Sequence, residues 1–278
     1  MMKKSTKSRV MDALVSVLAI TLGLIIVFPV VYCILGAFKT PAEFMSPKLF
    51  PDSFLHLDNF QNALNQAPLF RYMLNSLIMA LSGTAIRLTF AVMAAYALTH
   101  YDFRGKNLCF VLVLGTMMMP GDILLVTNYQ TVSQMGLLNT YLGMIIVSFV
   151  GASQMFMLRQ KFKSVPRDLH HAAVLDGCGD VRYILTVLLP VCKSVLTTLF
   201  VQSFITMWNA YLWPLIVTAS APDMRTVMVG ITKLNSWEDT NYELVLAGVT
   251  LSLIPSFVLF LVMRWNMQKD SLDGALVG

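Results

Sequence analysis

The sequence contains few charged residues. Of its 278 residues only 13% are charged, whereas 56% are hydrophobic. A soluble domain carries about 25% charged residues, so this chain has too few charges to cover an aqueous surface. Intrinsic disorder is excluded as well, because disordered chains combine low hydrophobicity with high net charge. The scarcity of charge therefore indicates a membrane protein with several spans.

Two further patterns that the sequence lacks narrow the class. Transmembrane β-barrels alternate apolar and polar residues along each strand, but the apolar runs here are continuous, so the spans are predicted to be α-helices. The four cysteines occur singly, without the paired spacing of a disulfide framework or a metal site. His170 and His171 lack a third ligand at zinc spacing. We therefore expect an all-α membrane protein without a metal centre.

Six apolar segments are interpreted as membrane spans. A span needs about 20 apolar residues, and the segments cover about 13–38, 72–98, 108–127, 141–158, 194–217 and 244–263. The first segment follows a basic N-terminus, but it is far longer than the apolar region of a signal peptide, so we expect it to be retained. Pro120 predicts a kink in the third span.

The basic residues indicate the orientation, because cytoplasmic loops hold an excess of Lys and Arg. With the N-terminus inside, the cytoplasmic segments hold 14 of the 20 basic residues and the outer segments hold 5, while Arg87 lies within a span. Both termini are therefore predicted to be cytoplasmic. The predicted divisions are an N-terminal segment with the first helix (1–38), an extracytoplasmic loop (39–70), a five-helix core (71–265) and a cytoplasmic tail (266–278).

The longest polar insertion in the second half of the chain, residues 159–182, holds the most informative local pattern. After Pro166 the sequence predicts a short helix that ends at Gly177, since a glycine just past the last helical residue is a common C-terminal signal. We expect this helix to expose Ala172 and Ala173, where small side chains permit another surface to approach closely. On spacing alone, a docking element and a connector lying flat among the lipid headgroups remain two alternatives.

The same segment resembles the EAA loop of ABC importer permeases, whose pattern is E-A-A-x3-G-x9-I-x-L-P. Its small, glycine and Leu-Pro positions are matched at full spacing by Ala172, Ala173, Gly177, Leu189 and Pro190. Two positions differ, because His171 stands in place of Glu and Val187 in place of Ile.

Other short motifs, in order along the chain, resemble the carbohydrate-uptake subgroup of these permeases. They are Asn75-Ser76, Ala94-Ala95-Tyr96-Ala97, Phe103-Arg104-Gly105, Met119-Pro120, Gly136-Leu137-Leu138-Asn139-Thr140, and the segment Trp208-Asn209-Ala210-Tyr211-Leu212-Trp213-Pro214-Leu215. The resemblance extends from about residue 71 to 263, and the ordered series makes it specific.

The resemblance implies a type I ABC importer permease with six transmembrane helices and a cytoplasmic coupling helix. Such a permease resides in the bacterial inner (plasma) membrane and forms half of the translocation path in a heterodimer with a second permease. Two cytoplasmic ATPase subunits bind ATP and Mg²⁺, and an extracytoplasmic binding protein delivers the solute. This chain is then not an enzyme, binds no cofactor itself and has no nucleic-acid partner. Oligosaccharides and glycerol 3-phosphate are both carried within the subgroup.

Within loop 159–190, the predicted coupling loop, the resemblance implies that one set of residues contacts the ATPase. They are Asp168, Leu169, His171, Ala172, Ala173, Asp176 and Gly177. A neutral imidazole cannot supply the negative charge of the usual Glu. Docking is therefore expected to rest on the two aspartates and the alanine surface, or on a partner that has changed to suit His171.

Three residues are candidates for the translocation path. Asp122 follows Pro120-Gly121, and an acidic residue within a membrane span suggests function, although a helix cap at the outer interface is an equal alternative. Asn209 and Tyr211 could hydrogen-bond to and stack on a hydroxylated solute, or pack against the partner permease and the aromatic belt. Arg87 is expected to face the partner or to snorkel rather than to contact solute.

Two other functional classes compete with an ABC permease. An ion-coupled secondary transporter of small polar solutes would favour inverted repeats and paired ionisable groups near the membrane midplane, yet the spans offer only Asp122 and Arg87, which are far apart in sequence. A membrane-embedded enzyme would need a cluster of nucleophile, base or metal ligands at membrane depth, and the sequence shows no such cluster.

Overall fold

The chain is seen in a computed structural model that describes residues 6–234 and 241–276, without the side chains of 6–10, 13, 122 and 264–276. Throughout these described ranges the regular structure is helical, with no strand, which confirms the predicted all-α class. The helices are α1 (Thr6–Ala37), α2 (Pro41–Phe44), α3 (Asp58–Gln66), α4 (Leu69–His100), α5 (Lys106–Thr116), α6 (Leu125–Gln134), α7 (Tyr141–Ile145), α8 (Ala152–Lys163), α9 (Arg167–Leu175), α10 (Asp180–Tyr183), α11 (Leu189–Val191), α12 (Lys193–Trp208), α13 (Leu212–Val217), α14 (Val227–Thr232) and α15 (Tyr242–Leu276).

Several of these helices are long and apolar enough to cross a bilayer. Among the described residues, three single helices qualify, at Leu14–Ala37, Leu69–His100 and Tyr242–Met263. Two bent pairs also qualify: Tyr141–Ser148 with Ala152–Lys163, bent by 51°, and Asp180–Val191 with Lys193–Trp208, bent by 87°. The segments follow the order of the predicted spans.

The structure corrects the continuity of two predicted spans. The third, predicted over 108–127, is divided into α5 and α6 by a break that contains Pro120, and the 11 residues of α5 are too few to cross the hydrocarbon core. The fifth, predicted over 194–217, is broken between Trp208 and Leu212. Proline explains the first break, since its ring and missing N–H interrupt helical hydrogen bonding.

The helices group into two units, of which the first contains Met1–Leu69 and Ile231–Leu253. Its loop after α1 begins with a capping box at α2. Thr40 accepts from the backbone N–H of Glu43, and the Glu43 carboxylate accepts from the backbone N–H of Thr40 at 2.7 Å. The other oxygen of this carboxylate accepts from the backbone N–H of Asp52 at 3.0 Å, so one side chain organises the loop from residue 40 to 52.

The second unit contains Phe70–Gly230 and Ile254–Gly278. Its main core lies between α4, α5, α8 and the segment 183–199, and large buried side chains fill it, among them Phe162, Tyr183, Leu158 and Leu188. Helix α8 therefore packs on both α5 and α12. This core supports the loop that was predicted to couple the chain to an ATPase.

Two motifs of the sequence act as structural anchors at the start of α4. The buried amide of Asn75 donates to the backbone carbonyls of Asp223 and Arg225, and its oxygen accepts from the hydroxyl of Tyr141 at 2.6 Å. The neighbouring Ser76 hydroxyl accepts from the backbone N–H of Val227 at 2.8 Å. Asn75-Ser76 thus satisfies buried backbone groups of a segment 150 residues away in sequence.

Candidate functional site

The short helix predicted after Pro166 is present and has a well-defined end. Helix α9 follows Pro166 and ends at Leu175, and Gly177 adopts a left-handed φ of 72°. The backbone N–H of Cys178 donates to the carbonyl of Ala173 at 2.9 Å, and that of Gly177 donates to Val174 at 3.0 Å. These two bonds define a Schellman motif, which satisfies the last carbonyls of the helix and requires a residue that tolerates positive φ. Gly177 therefore marks the end of the helix because the turn after it requires a residue with positive φ.

The inner face of α9 rests on the core of the second unit. Ala173 and Cys178 pack against the buried cluster, and the ring of His170 lies 4.8 Å from the ring of buried Tyr183. Ala173 is therefore half-buried, whereas the sequence predicted that it is exposed. The difference arises because residues 170 and 173 share one face of a helix at a spacing of three, and this face meets the core.

The outer face of α9 is free for a partner in the described part of the chain. Asp168, Ala172 and Leu175 lie on this face, since positions spaced by three and four residues align along a helix, and all three are exposed. Leu175 is 87% exposed and adds an apolar side chain to this face. On the flanks of this face, Leu169, Asp176 and His171 are exposed as well.

A polar latch holds the chain where it leaves α9. The carboxylate of Asp180 accepts one hydrogen bond from the hydroxyl of buried Tyr96 at 2.9 Å and another from Tyr101. The bond to the carboxylate raises the pKa of the Tyr101 phenol above its usual value, because the neutral phenol is the donor. Asp180 thus ties the loop to the C-terminal end of α4.

A buried arginine supports the entry to the loop. Arg159 on α8 is only 5% exposed, and its guanidinium lies 3.7 Å from the ring centroid of Phe110 on α5. Its Nε donates to the backbone carbonyl of Leu98 at 3.4 Å. A cation over an aromatic ring with a carbonyl acceptor compensates part of the loss of hydration. Arg159 therefore joins α4, α5 and α8 beneath α9.

The surroundings of His171 are basic. A cavity of about 650 Å³ opens beside the start of α9, and its charged lining residues are Asp102, Lys106, Arg159, Lys163 and Arg167, together with the imidazoles of His100, His170 and His171. Lys106 pairs with Asp102 at 3.2 Å, so the remaining charges are positive. The flank of α9 that carries His171 therefore favours an acidic partner.

The predicted path residues occupy a helix break. Asn209 and Tyr211 lie between α12 and α13 and are both exposed, whereas the neighbouring Trp208 is buried and stacks on Phe204 with 5.9 Å between ring centroids. Irregular backbone at membrane depth is tolerated where it is buried or lines a cavity. The side chain of Asp122 lies outside the described residues, and its backbone belongs to a 3₁₀ turn at Gly121–Leu124.

Arg87 has a structural partner within the chain. Its Nε donates to the backbone carbonyl of Ser148 at 2.7 Å, and Ser148 directly precedes the bend between α7 and α8. The buried amide of Gln154 donates to the hydroxyl of Ser203 at 3.1 Å and joins α8 to α12. Both interactions satisfy polar groups near helix bends and were not expected from the sequence.

Asp180 and Arg159 are the two supporting residues that sequence reasoning missed. Asp180 directly follows Gly179, where the polar loop gives way to a mostly apolar stretch, and this position is a signal that could have found it. Arg159 belongs to a run of basic residues with Lys161 and Lys163, and nothing in the sequence distinguishes it from these neighbours. Among the described residues, no group of three His, Cys, Asp or Glu side chains could hold a metal ion.

These features describe a helical membrane protein whose polar loop 159–182 carries a short helix with one exposed face. Its sequence matches the model of the family described as "Binding-protein-dependent transport system inner membrane component" over residues 1–269, and the chain belongs to this family. The predicted resemblance is thereby confirmed.

Curated relatives align with all or nearly all of the chain. An arabinooligosaccharides transport system permease protein of Halalkalibacterium halodurans is 32% identical over 281 residues, covering 100% of this chain and 99% of the relative. The corresponding protein of Bacillus subtilis is 29% identical over 100% of this chain and 99% of its own length. An sn-glycerol-3-phosphate transport system permease protein of Yersinia enterocolitica is 31% identical, covering 94% of this chain and 96% of that protein.

Solved structures share the fold. A chain from a bacterial ABC transporter that imports the acidic polysaccharide alginate superposes with a TM-score of 0.82 at 20% identity, covering 95% of this chain and 99% of that chain. A chain from a structure of a bacterial alginate ABC transporter in complex with a periplasmic protein bound to an alginate pentasaccharide gives a TM-score of 0.64 at 16% identity, covering 92% of this chain and 93% of that chain. At these identities the likeness establishes the fold alone.

The chain is thus a multi-pass membrane permease subunit of an ATP-binding-cassette importer. It is not an enzyme, since ATP hydrolysis in this class belongs to a separate subunit. The family is named for its dependence on a binding protein, and a second permease and ATPase subunits are expected for a transport system of this kind.

Proposed function

We propose that the outer face of α9 docks into the ATPase and transmits its ATP-driven closure to the permease. The observation that carries this proposal is the orientation of α9: its inner face is fixed to the core through His170 and Ala173, while Ala172 and Leu175 are exposed. A helix fixed on one side and free on the other can move as one body with the core beneath it. Rigid-body motion of this kind is the usual basis of switching between two access states.

The charge around His171 supports a particular form of this docking. The basic side chains of Lys163 and Arg167 lie beside it and form a positive flank, whereas Asp168 and Asp176 lie on or near the outer face. We propose that the ATPase presents an acidic group to the positive flank and a basic or backbone donor to the aspartates. This arrangement would compensate for the Glu that His171 replaces.

For substrate, we propose an oligosaccharide or a glycerol 3-phosphate type of solute, delivered by the binding protein. The support comes from the full-length relatives, which are named for arabinooligosaccharide and glycerol 3-phosphate transport. Both solutes carry free hydroxyl groups, which polar amides and aromatic rings can recognise. ATP and Mg²⁺ would bind to the partner ATPase.

For the translocation path, we propose Asn209 and Tyr211, together with Asp122. Two side chains support this assignment: both Asn209 and Tyr211 are exposed at the break after α12, where an amide and a phenol could meet solute hydroxyls. The second permease, which we propose to be a different chain, would supply the opposite wall. Loop 159–190 and both termini would be cytoplasmic, within the bacterial inner (plasma) membrane, as the excess of basic residues favours.

The proposal is tested by site-directed crosslinking in the assembled transporter. A cysteine at Ala172 should crosslink to the ATPase with a short bifunctional reagent, whereas a cysteine at half-buried Ala173 should react much less. The crosslink should vary between nucleotide-free and ATP-bound states. Equal crosslinking of the two positions, or none at Ala172, would contradict docking through the outer face.

A further inference from the structure

We infer that a cavity beside the loop after α1 is a subsite that binds neutral oligosaccharide through Glu243. This inference rests on the proposed function and deepens it. The cavity has a volume of about 640 Å³ and lies entirely in the first unit, between the end of α1, α3 and the start of α15. Its polar lining includes Lys39, Asn59, Asn62, Asn65, Asn241 and Glu243.

Glu243 is the residue whose surroundings indicate a ligand. It is 6% exposed and lines the cavity, yet no hydrogen bond or ion pair joins it to any described residue. Charged groups are almost never fully buried unless they are paired, and the Glu243 oxygens are not among the enclosed, unpartnered atoms of the described residues, so the carboxylate faces the open cavity. A donor that enters the cavity would supply what Glu243 lacks.

Lys39 provides the complementary group. Its side chain is buried, with 2% exposed, and its ammonium donates to the backbone carbonyl of Lys48. An ammonium carries three donors, so hydrogens remain for a ligand. Because no ion pair within 4 Å joins Lys39 to Glu243 among the described residues, the cavity holds a donor and an acceptor that do not satisfy each other.

The amides of α3 extend this pattern along the cavity wall. Asn59, Asn62 and Asn65 recur every third residue and therefore lie near one face of the helix. The amide nitrogen of Asn59 is used, since it donates to the carbonyls of Ala37 and Lys39 at 2.9 and 2.8 Å. Its oxygen remains free to accept, whereas the exposed Asn62 and Asn65 can both donate and accept.

A neutral sugar fits this set of groups better than a phosphate ester. Each sugar hydroxyl donates one hydrogen and accepts two, so neighbouring hydroxyls can donate to Glu243 and accept from Lys39 and the amides. Leu244 and Pro41 add apolar surface for the C–H groups of a sugar ring. A phosphate monoester carries about −1.5 to −2 charge at neutral pH and offers Glu243 repulsion in place of a donor. The buried Lys39 disfavours a metal cation in the same place.

The test is a binding titration on the complete transporter, assembled in lipid nanodiscs without its binding protein. Saturation-transfer NMR with arabinotriose should detect binding, and Glu243→Gln should weaken it about tenfold, because a hydrogen bond to a carboxylate is stronger than one to an amide. Asn62→Ala should weaken it severalfold. Gln61→Ala is the matched control: it changes an exposed residue of α3 outside the cavity lining, and affinity should be unchanged.

Several results would overturn the inference. They are the absence of arabinotriose binding to the wild-type complex, equal affinity in Glu243→Gln, and tighter binding of sn-glycerol 3-phosphate that depends on Lys39. The inference would also be overturned if Glu243→Gln weakened only the docking of the sugar-free binding protein and left arabinotriose binding unchanged. If Glu243→Gln leaves the affinity for arabinotriose unchanged while the wild-type complex still shows ATP-driven uptake, the proposed subsite is wrong and the proposed function stands. If the wild-type complex shows no uptake that depends on ATP and the binding protein, the proposed function itself fails.

Discussion

The hydroxyl of Tyr96, near the end of α4, donates a 2.9 Å hydrogen bond to the carboxylate of Asp180, the first residue of α10. Tyr96 is buried, and the same carboxylate accepts from Tyr101. The chain that leaves α9 is therefore fixed to the second predicted span. Movement of α9 can reach α4 through this latch as well as through the apolar core.

Loss of the latch should loosen the loop without unfolding the helices. We expect Tyr96→Phe to destabilise the transporter by about 1 kcal/mol, the net value of a typical hydrogen bond, and to raise amide exchange in residues 176–183. Asp180→Asn should have the same local effect. Hydrogen exchange measured by mass spectrometry checks this prediction, and Tyr129→Phe, at a half-exposed site away from the loop, is the control. Unchanged exchange in both latch variants would show that the latch does not hold the loop.

Two adjacent alanines should respond differently to the same enlargement. Ala172→Trp adds a ring to the exposed face of α9, so the permease should keep its thermal stability but lose the ATPase during purification. Ala173→Trp forces the ring into the packed core, where overpacking typically costs about 1–3 kcal/mol. Thermal unfolding and co-purification of the ATPase together distinguish the two outcomes. Similar behaviour of both variants would contradict the orientation of α9.

Gly177 should tolerate Asn better than Ala. A Cβ at this position would meet no atom within 4 Å, so the cost of substitution comes from the left-handed backbone and not from a clash. That cost is about 1–2 kcal/mol for Ala, whereas Asn adopts this conformation more readily. ATP hydrolysis coupled to uptake should therefore be impaired more in Gly177→Ala than in Gly177→Asn. Greater impairment in Gly177→Asn than in Gly177→Ala would contradict a role for the left-handed conformation of Gly177.

Protonation of Glu43 should open the loop after α1 at acid pH. Hydrogen bonds from the backbone N–H groups of Thr40 and Asp52 lower the pKa of Glu43 to about 2. Because the pKa is depressed, the stabilisation is fully present above the ordinary value near 4.5 and is lost as pH falls toward 2. Limited proteolysis of residues 40–52 should accelerate across this range in the wild type. Glu43→Gln should be cleaved faster already at pH 6, and a wild-type rate independent of pH would contradict the assignment.

The sequence predicted the helical class, the family and the position of α9 because their signals are local. Continuous apolar runs indicate membrane spans. Gly177 marks a helix end through its own backbone conformation. The break at Pro120 was predicted only as a kink, and the break at 209–211 contains neither proline nor glycine. Breaks of the second kind depend on tertiary partners, such as the stacking of Trp208 on Phe204, which a single sequence does not contain.

The functional surroundings of α9 were harder to predict for a related reason. A helical pattern gives the relative angle of Ala172 and Ala173 but does not say which of them meets the core. The partners of Asp180 lie about 80 residues earlier in the chain, at the end of α4. The unpaired burial of Glu243 is likewise visible only when residues 39 and 243 are brought to one cavity.

The most direct test of coupling through α9 is solute uptake by the reconstituted transporter. Proteoliposomes should contain this chain, its second permease and the ATPase, with the binding protein outside and labelled arabinotriose as solute. We predict uptake that requires internal ATP and the binding protein, and that is lost in Ala172→Trp while the spans remain folded. Undiminished ATP-driven uptake by Ala172→Trp, or uptake by this chain alone driven by a proton or sodium gradient, would contradict the account.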